Sequence, residues 1–509
     1  MTRRSRCLIA GLALSTVASL AAAQTVTFRK IVDTETPVPG GTGTFGGVAP
    51  FRGIALRGGQ VAFQGEDADG HSGIYVAGGG ALRKVADENT PMPGGGGRLL
   101  SFFSAPALDA GRVVFAGYTS QTGIEAIFSD LSGSLTTVVG PSTPIPGGSG
   151  TFSDLGPGVD VGGGNIVFVG GAQDVLGNLN QQGVYSTLGG FQKIADRNTT
   201  VPGGTAGFLG FHDVATDGSV IAFSGTSPGS SGIYRHAGGT LSRVADTSTP
   251  IPGGAGSFVG FHGFGLDSGI VAFVASGNLG QNAVYASGPG GALRVVADQF
   301  TPVPGSPSLR FASFSNVVST SQGNVAFVGI PTNQLTLNVE IAGRLITVLR
   351  RGGVLDGKVI SDLGIDAHSM DGNQIAFRVA FEEGEKAIYV ASVGCLPGDT
   401  RICLNGGRFA VEATWETGDG EQGAAHGVEL TSDTGYLWFF APSNIEVVVK
   451  VLNGCTLSNR YWVFAGGLTD VEVELRITDT VSGETRTYTN PQGTKFQPIQ
   501  DTSAFATCP

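Results

Sequence analysis

A phrase that recurs every 50 to 55 residues over the first three quarters of the chain most constrains its fold. Its most regular part is an apolar run centred on a phenylalanine, at Phe63, Phe115, Phe168, Phe223, Phe273, Phe327 and Phe377. A Gly-Ile-Tyr run or a relative of it follows, and most copies end in Asp, two residues and Thr-Pro-apolar-Pro-Gly-Gly, as in 246–254. Periods of this length are typical of solenoids, propellers and other repeat arrays.

Each repeat contains four strand-like pieces. In one copy they cover residues 208–215, 219–224, 232–235 and 241–245. The pieces are short, rich in Val, Ile and Phe, and bounded by Gly, Asp and Ser, which is the pattern of strands joined by tight turns. Four strands per repeat are typical of one blade of a β-propeller.

The two ends of the repeat region complement each other. The chain enters on a fourth strand near Phe28 and leaves on a third strand at 388–390. Pairing of these strands would close a ring and remove the open sheet edges. We therefore predict an all-β, seven-bladed propeller over residues 24–393, closed by one N-terminal and three C-terminal strands. An open β-solenoid, the alternative, predicts no complementary ends.

Residues 394–509 have a different composition. They contain all three tryptophans and the last four cysteines, together with six or seven alternating runs such as 408–415 and 461–465. This number of strands predicts a small β-sandwich. Four cysteines allow three disulfide pairings; we prefer Cys395–Cys403 and Cys455–Cys508, since the second would fasten the chain end. A four-cysteine zinc site is the alternative, but the short spacings that zinc sites use are missing.

The N-terminus predicts export. Arg3, Arg4 and Arg6 precede an apolar run from Leu8 to Leu20 and three alanines, so residues 1–23 resemble a secretory signal peptide. A membrane anchor is the alternative, but the run is shorter than the roughly 20 residues that a spanning helix needs. We expect a secreted protein, extracellular or periplasmic, with no transmembrane segment after removal of the signal. A net charge of −11 without a Lys/Arg run argues against nucleic acid.

Both parts of the chain resemble proteins of secreted bacterial type. The run 324–329, Asn-Val-Ala-Phe-Val-Gly, and the run 232–234, Gly-Ile-Tyr, are similar to the Asn-x-x-Ala-Phe-x-Gly and Gly-Ile-Tyr signatures of secreted bacterial tandem-repeat proteins, with one residue fewer in the first. The runs 434–440, 461–464 and 501–505 resemble a small all-β module appended to many secreted bacterial proteins. Neither resemblance implies an activity.

Known catalytic and cofactor motifs are missing from the sequence, so we predict no cofactor and no metal site. The Asp before each Thr-Pro phrase is expected to accept N–H bonds in its own turn, although a ring of carboxylates that binds cations is an alternative; these residues are Asp33, Asp87, Asp196, Asp246 and Asp298. The run 66–70 has some character of a calcium loop, with a solvated turn as the simpler interpretation.

One position of the repeat differs from copy to copy, and we call the residues at such an equivalent position a column. Counting eleven residues back from each repeat phenylalanine gives Arg52, Ser104, Pro157, His212, His262, Asn316 and Asp366. This column lies on the first strand, which borders the central channel of a propeller. We predict that its polar members Arg52, His212, His262, Asn316 and Asp366 bind a ligand. Exposed loop-end residues are the simpler interpretation, and a His pair with a carboxylate could also hold a metal or transfer protons.

These observations predict a non-enzymatic exported protein for binding or surface display, with the channel mouth and loops as its platform. Its partner would be an extracellular polymer or protein whose identity the sequence does not give. The alternative is a propeller hydrolase or lyase that acts on an extracellular polysaccharide. Replacement of His212, His262 or Asp366 would abolish turnover in such an enzyme without loss of the fold.

Overall fold

The fold is built almost entirely from antiparallel strands. A computed structural model describes residues 26–508 except for 42, 79–80, 94–96, 103, 120–124, 174–178, 289 and 333. The proposed signal peptide, residues 1–23, lies outside the described residues. Within the part that is described, no helix is long and apolar enough to cross a membrane.

The described residues of the first part of the chain form seven antiparallel sheets of four to six strands, which we number in chain order, and one two-stranded hairpin. Strand β1 is Val26–Asp33. Sheet 1 contains β2 (Phe51–Arg57), β3 (Gln60–Glu66), β4 (Ser72–Gly78) and β5 (Ala81–Asp87). Sheet 2 contains β6 (Leu99–Phe102), β7 (Ala107–Asp109), β8 (Arg112–Thr119), β9 (Glu125–Ser129) and β10 (Thr136–Val139). Sheet 3 contains β11 (Asp154–Gly162), β12 (Asn165–Gln173), β13 (Leu179–Ser186) and β14 (Gln192–Asp196).

Sheets 4 to 7 repeat the arrangement. Sheet 4 contains β15 (Gly210–Thr216), β16 (Val220–Ser227), β17 (Ser230–Ala237) and β18 (Thr240–Asp246). Sheet 5 contains β19 (Phe258–Asp267), β20 (Ile270–Gly277), β21 (Asn282–Ser287) and β22 (Leu293–Ala297). A hairpin of β23 (Pro302–Val303) and β24 (Ser306–Arg310) precedes sheet 6, which contains β25 (Ser313–Ser321), β26 (Asn324–Ile330), β27 (Thr336–Ile341) and β28 (Arg344–Arg350). Sheet 7 contains β29 (Val354–Leu355), β30 (Lys358–Gly364), β31 (Met370–Asp371), β32 (Gln374–Phe381) and β33 (Lys386–Val393).

The ring closes as the chain ends predict. Strand β1 pairs antiparallel with β33 over the register Val26↔Val393 to Asp33↔Ala387, so the N-terminal strand is the outermost strand of sheet 7. One strand near the start of each sheet contacts its counterpart in the next sheet. The order is β2, β7, β11, β15, β19, β25 and β31, and β31 contacts β2. This closed circuit makes the first part of the chain a β-propeller, and the prediction of that fold is confirmed.

The hydrophobic cores lie between neighbouring sheets. One core joins buried residues of sheets 4 and 5, and another joins sheet 7 to sheet 1 through Ile388 and Val390. The repeat phenylalanines are fully buried in these layers. Six of them pair across the ladder with an aromatic residue of the third strand, and Phe327 of sheet 6 pairs with Asn338 instead. The rings of Phe223 and Tyr234, for example, have centroids 5.8 Å apart. The two repeated aromatic motifs therefore form one cross-strand pair in every sheet but sheet 6.

The Asp–Thr turns fasten the outer edge of the propeller. In sheet 4, Asp246 Oδ1 accepts bonds from the backbone N–H of Ser248 at 2.9 Å and from the hydroxyl of Thr249 at 3.0 Å. Asp33, Asp87, Asp196 and Asp298 make the same N–H contact two residues on. These carboxylates are therefore held within their own turns, as the simpler interpretation of the sequence predicts.

Two further sheets follow residue 393. The first contains β34 (Ile402–Leu404), β35 (Phe409–Glu416), β36 (Gln422–Ala424), β41 (Glu472–Asp479) and β42 (Thr485–Asn490). The second contains β37 (His426–Thr431), β38 (Thr434–Trp438), β39 (Val447–Asn453), β40 (Tyr461–Gly467) and β43 (Ile499–Phe505), with the short helix α1 (Cys455–Ser458) before β40. Both sheets contribute to one core, so this part is the predicted small β-sandwich. Disulfide bonds join Cys395 to Cys403 and Cys455 to Cys508, the preferred pairing.

Candidate functional site

Three of the five predicted ligand-binding residues lie at β-bulges on the first strands of their sheets. The ladder of sheet 4 is irregular between Phe211 and Val214, which places His212 in the bulge. His262 occupies the corresponding bulge of sheet 5, and Asn316 that of sheet 6. A bulge turns a side chain away from the regular alternation of a strand. The break in repeat regularity that the sequence shows is therefore also a break in the ladder.

The predicted residues differ in their surroundings. His262 Nε2 lies 3.0 Å from the hydroxyl of Ser276 within its own sheet, and His212 and Asn316 are exposed. The carboxylate of Asp366 is occupied, since it pairs with Arg378 at 3.1 Å and accepts the backbone N–H of Ile54 at 2.9 Å. The contacts of the two histidines and Asp366 thus give no support to a joint metal or proton-transfer site.

One group of acidic and histidine side chains is compact enough for a cation. Among the described residues, Asp67, Asp69 and His71 bring ligand atoms within 4.8 Å of one another. They lie in the turn between β3 and β4, where Asp67 also accepts the backbone N–H groups of Asp69 and His71 at 2.9 Å each. The side chains of Asp69 and His71 are exposed, so the same three residues also fit an ordinary solvated turn.

The central channel is narrow near the C-terminal ends of the first strands. A small cavity of about 30 Å³ there is lined by residues of all seven sheets. Arg57 of sheet 1 crosses it, with Nη1 3.0 Å from Oδ1 of Asp267 in sheet 5 and 4.0 Å from Oδ1 of Asp371 in sheet 7. Because sheets 1 and 5 are not neighbours in the ring, this ion pair spans the channel.

A second pair crosses the channel between sheets 7 and 3. His368 Nε2 lies 3.6 Å from Oδ1 of Asp160, which is buried and also accepts the backbone N–H of Thr216 at 2.7 Å. Burial raises the pKa of Asp160, and the neighbouring His368 opposes that shift. The two crossing contacts leave little free volume at this level of the channel.

A further column of polar residues links neighbouring sheets. Six residues before the repeat phenylalanine stand Arg57, Asp109, Gly162, Asp217, Asp267, Ser321 and Asp371. Except for Arg57 and Gly162, each accepts a backbone N–H from the next sheet at 2.7 to 2.9 Å. This column can be found in the sequence alone by counting six residues back from each repeat phenylalanine. Arg57 is its single cation.

A larger cavity opens where the first and last sheets meet. This closure cleft has a volume of about 370 Å³ and is lined by residues 48–52, 362–364, 378–380 and 386–387. Its charged members are Arg52, Asp362, Arg378 and Lys386. Arg52 Nη2 lies 3.4 Å from Glu66, with 55% of the arginine side chain exposed. The Lys386 ammonium donates to the backbone carbonyls of Gly47 and Val48 at 3.1 and 2.6 Å. Predicted residue Arg52 and the partner of predicted residue Asp366 thus border one cavity.

The closed circuit of sheets defines the chain as a β-propeller protein with an appended sandwich. It belongs to the DUF7453 family, a family of unknown function, whose profile matches residues 20–398. No curated protein matches the chain.

The chain resembles solved structures only distantly. A puromycin-hydrolyzing peptidase of Mycobacterium tuberculosis is 14% identical, with a TM-score of 0.39 over 72% of this chain, which spans 58% of the peptidase. An oligogalacturonate lyase from Vibrio parahaemolyticus is 13% identical, with a TM-score of 0.38, 72% of this chain and 96% of the lyase covered. The WD40 domain of Toxoplasma gondii coronin is 11% identical, with a TM-score of 0.35, 73% and 87% covered. Likenesses of this size support no functional conclusion.

Proposed function

We propose that this chain is an exported binding protein that holds its ligand in the closure cleft between sheets 1 and 7. The observation that carries the proposal is the cleft itself, whose 370 Å³ lies within the range of about 300–1,000 Å³ usual for ligand pockets. Pro50, Phe51, Leu363 and Val379 supply an apolar floor. Arg57 and His368 reach across the channel and leave a cavity of about 30 Å³ there, so the cleft is the larger of these two cavities.

The charges of the cleft favour an acidic ligand. Three of its lining residues are cationic and one is acidic, on a chain whose net charge is −11. Arginine and lysine can both donate to a carboxylate, and such charge-assisted bonds are stronger than neutral ones. The apolar floor suits the carbon face of a sugar ring. The ligand that fits is therefore an acidic sugar unit of an extracellular polymer.

The proposed location is outside the cytoplasm. Two disulfide bonds are present, and such bonds persist in oxidising compartments. The basic and apolar N-terminal pattern supplies a route of export. We further propose that residues 24–393 and 394–509 are separate folding units, because each has its own hydrophobic cores.

Calorimetric titration of the full chain tests the proposal. The probes are trigalacturonate and its methyl ester, which has the same rings without the charge. We expect saturable binding of the acid and at least tenfold weaker binding of the ester. Arg52→Met should weaken binding of the acid about tenfold, the equivalent of one charge-assisted contact of about 1.4 kcal/mol. Arg29→Met is the matched control, because Arg29 lies on β1 and donates to the Gly59 carbonyl, outside the cleft.

Two results would overturn the proposal. Equal binding of acid and ester would show that the cations of the cleft do not select the ligand. Cleavage of trigalacturonate, seen as new reducing or unsaturated ends, would instead support the hydrolase or lyase. In that event His212→Ala and His262→Ala would be tested for loss of turnover.

A further inference from the structure

The second sheet of the sandwich has an unusual outer face. Along β38, β39 and β40 the buried residues alternate with outward ones, and the inward set includes Leu437, Val449 and Val463. An antiparallel sheet with one solvated face normally carries polar residues outward. Here the outward positions of β38 and β40 carry Tyr436, Trp438, Trp462 and Phe464, all partly exposed. We call these four residues the aromatic face.

The four rings lie in adjacent rows. Tyr436 pairs with Val448, which pairs in turn with Gly466, so these residues form one row across three strands. Phe464 pairs with Lys450 in the next row. Neighbouring strands are about 4.8 Å apart, so Tyr436 on β38 and Phe464 on β40 are separated by roughly 10 Å across the sheet. A Cβ at Gly466 would meet no atom within 4 Å, which leaves the surface open beside Val448.

Both tryptophans are held in fixed orientations. The ring of His426 stacks on Trp438 with centroids 3.9 Å apart and planes inclined by 11°. The Trp462 indole N–H donates to the hydroxyl of Ser458 at 2.8 Å, on a helix that begins at the disulfide-bonded Cys455. A ring that is immobilised before binding loses less entropy when a ligand stacks on it.

The aromatic face is nearly uncharged. Among the outward positions of the fully described strands β37 to β40, Lys450 is the one charged side chain, and its ammonium lies 3.6 Å from the carboxylate of Asp433. Nucleic acid also stacks on aromatic rings, but it needs a basic groove beside them. A chain of net charge −11 with one paired lysine on this surface does not supply that groove.

We propose that the aromatic face binds an uncharged polysaccharide chain. Sugar rings of such a chain present flat C–H faces that stack on aromatic side chains, while their hydroxyl groups stay in water. Rings in adjacent rows would engage successive sugars, and the absence of net charge in those rows matches a neutral polymer. This site is separate from the closure cleft, which selects an acidic ligand, and does not depend on it.

Tryptophan fluorescence of the full chain provides a selective test. The three tryptophans, Trp415, Trp438 and Trp462, all belong to the sandwich, so the propeller is silent in this signal. Titration with cellohexaose, xylohexaose and maltohexaose should give a saturable change of emission with at least one of them. Calorimetry should then show at least tenfold weaker binding for Trp438→Ala and for Phe464→Ala. These residues lie on different strands, so failure of one variant to fold leaves the other as the test.

Two controls separate this site from the rest of the molecule. Phe300→Ala removes an aromatic ring that is 79% exposed on the propeller, and it should leave binding of the hexasaccharide unchanged. Arg52→Met should also leave it unchanged, which distinguishes this proposal from the closure cleft. The proposal is overturned if none of the three hexasaccharides binds, or if binding survives both Trp438→Ala and Phe464→Ala.

Two other occupants of the face would also overturn it. Binding of phosphatidylcholine vesicles, lost in Phe464→Ala while no hexasaccharide binds, would indicate a membrane surface. A dimer at micromolar concentration in analytical ultracentrifugation, abolished by Phe464→Ala, would indicate a second copy of this chain.

Discussion

Replacement of Arg57 by methionine tests whether the ion pair across the channel stabilises the propeller. Methionine keeps most of the length of the side chain but removes the charge and the hydrogen-bond donors. Asp267 would lose its contact with Nη1 at 3.0 Å. It would keep the bonds that it accepts from the backbone N–H of Gln322 and the hydroxyl of Ser268, at 2.8 and 2.9 Å. The Asp267 carboxylate therefore loses its contact with Arg57 but still accepts two hydrogen bonds.

The expected cost follows from that geometry. A hydrogen bond between charged groups contributes about 1.5–3 kcal/mol when it is buried. The Arg57 side chain is 32% exposed and that of Asp267 is 11% exposed, so solvent screening reduces the estimate toward its lower end, about 1.5 kcal/mol. For a propeller of residues 24–393, an unfolding entropy of about 2.1 cal/mol/K per residue converts this cost into a decrease of about 2 °C in Tm.

Differential scanning calorimetry of the full chain measures this shift. Arg52→Met is a matched control on the same strand, because its ion pair with Glu66 is longer, at 3.4 Å, and more exposed. That variant should lose less than about 0.5 kcal/mol. Arg57→Glu should lose more than Arg57→Met, since it adds a carboxylate beside Asp267 and Asp371. Equal Tm values for Arg57→Met and Arg52→Met would refute the argument that the crossing pair stabilises the ring.

Three further changes test the turns, the sheet contacts and the sandwich. Burial alone would raise the pKa of Asp246, but hydrogen bonds from neighbouring hydroxyls and the Arg243 guanidinium lower it. Its stabilising effect is thus full above the unfolded value of about 3.9 and is lost as pH falls through the folded pKa, so Asp246→Asn should flatten the acid limb of a plot of Tm against pH. Gly162→Ala would place a Cβ 2.6 Å from the Gly218 nitrogen and should lower propeller stability by about 2 kcal/mol in calorimetry. Replacement of both Cys455 and Cys508 by Ser should cost about 4 kcal/mol, from the 53-residue separation that they close, and urea unfolding followed by tryptophan emission would measure it.

The repeat carried the information needed to predict the propeller. Six of the seven repeat phenylalanines pair with an aromatic partner on the next strand, as Phe223 does with Tyr234, and this contact is local in the chain. Closure was also predictable, because the leftover strand near Phe28 matched the missing fourth strand of the last repeat. Strand ends were less accurate. Both strands of the hairpin in sheet 4 extend into the Ser/Gly-rich segment 225–231, beyond the predicted strand ends at residues 224 and 232.

In the sandwich, some strands lack the alternation of apolar and polar residues from which strands are predicted. Strand β37 was not predicted, since its run His-Gly-Val-Glu-Leu-Thr has mixed faces and its last three residues are exposed. The short strands β34 and β36 were missed for lack of length. The aromatic face was visible as the outward half of two predicted strands, but only the pairing of β38 with β39 and of β39 with β40 places Tyr436 and Phe464 on one surface.

The candidate site was harder to predict, because it depends on which sheets face each other. Arg57 and Asp267 lie 210 residues apart, and no local pattern indicates that sheets 1 and 5 meet across the channel. The predicted column, by contrast, came from a real irregularity. Its histidines lie in bulges, where an extra residue breaks the two-residue period of the strand. The sequence therefore located unusual backbone, but not which of its side chains would share a cavity.

Sheet 1 carries an arginine in both polar columns of the repeat. At six residues before the phenylalanine, Asp217 and Asp267 accept backbone N–H bonds that hold one sheet to the next. Sheet 1 departs from this arrangement, because Arg57 is directed across the channel. In the variable column, eleven residues before the phenylalanine, sheet 1 carries Arg52, which borders the cleft. Regular positions support the ring, and positions that break a repeat are free for another role. On this basis Arg57 narrows the channel, and Arg52 adds one cation to a cleft in which sheet 7 supplies Arg378 and Lys386.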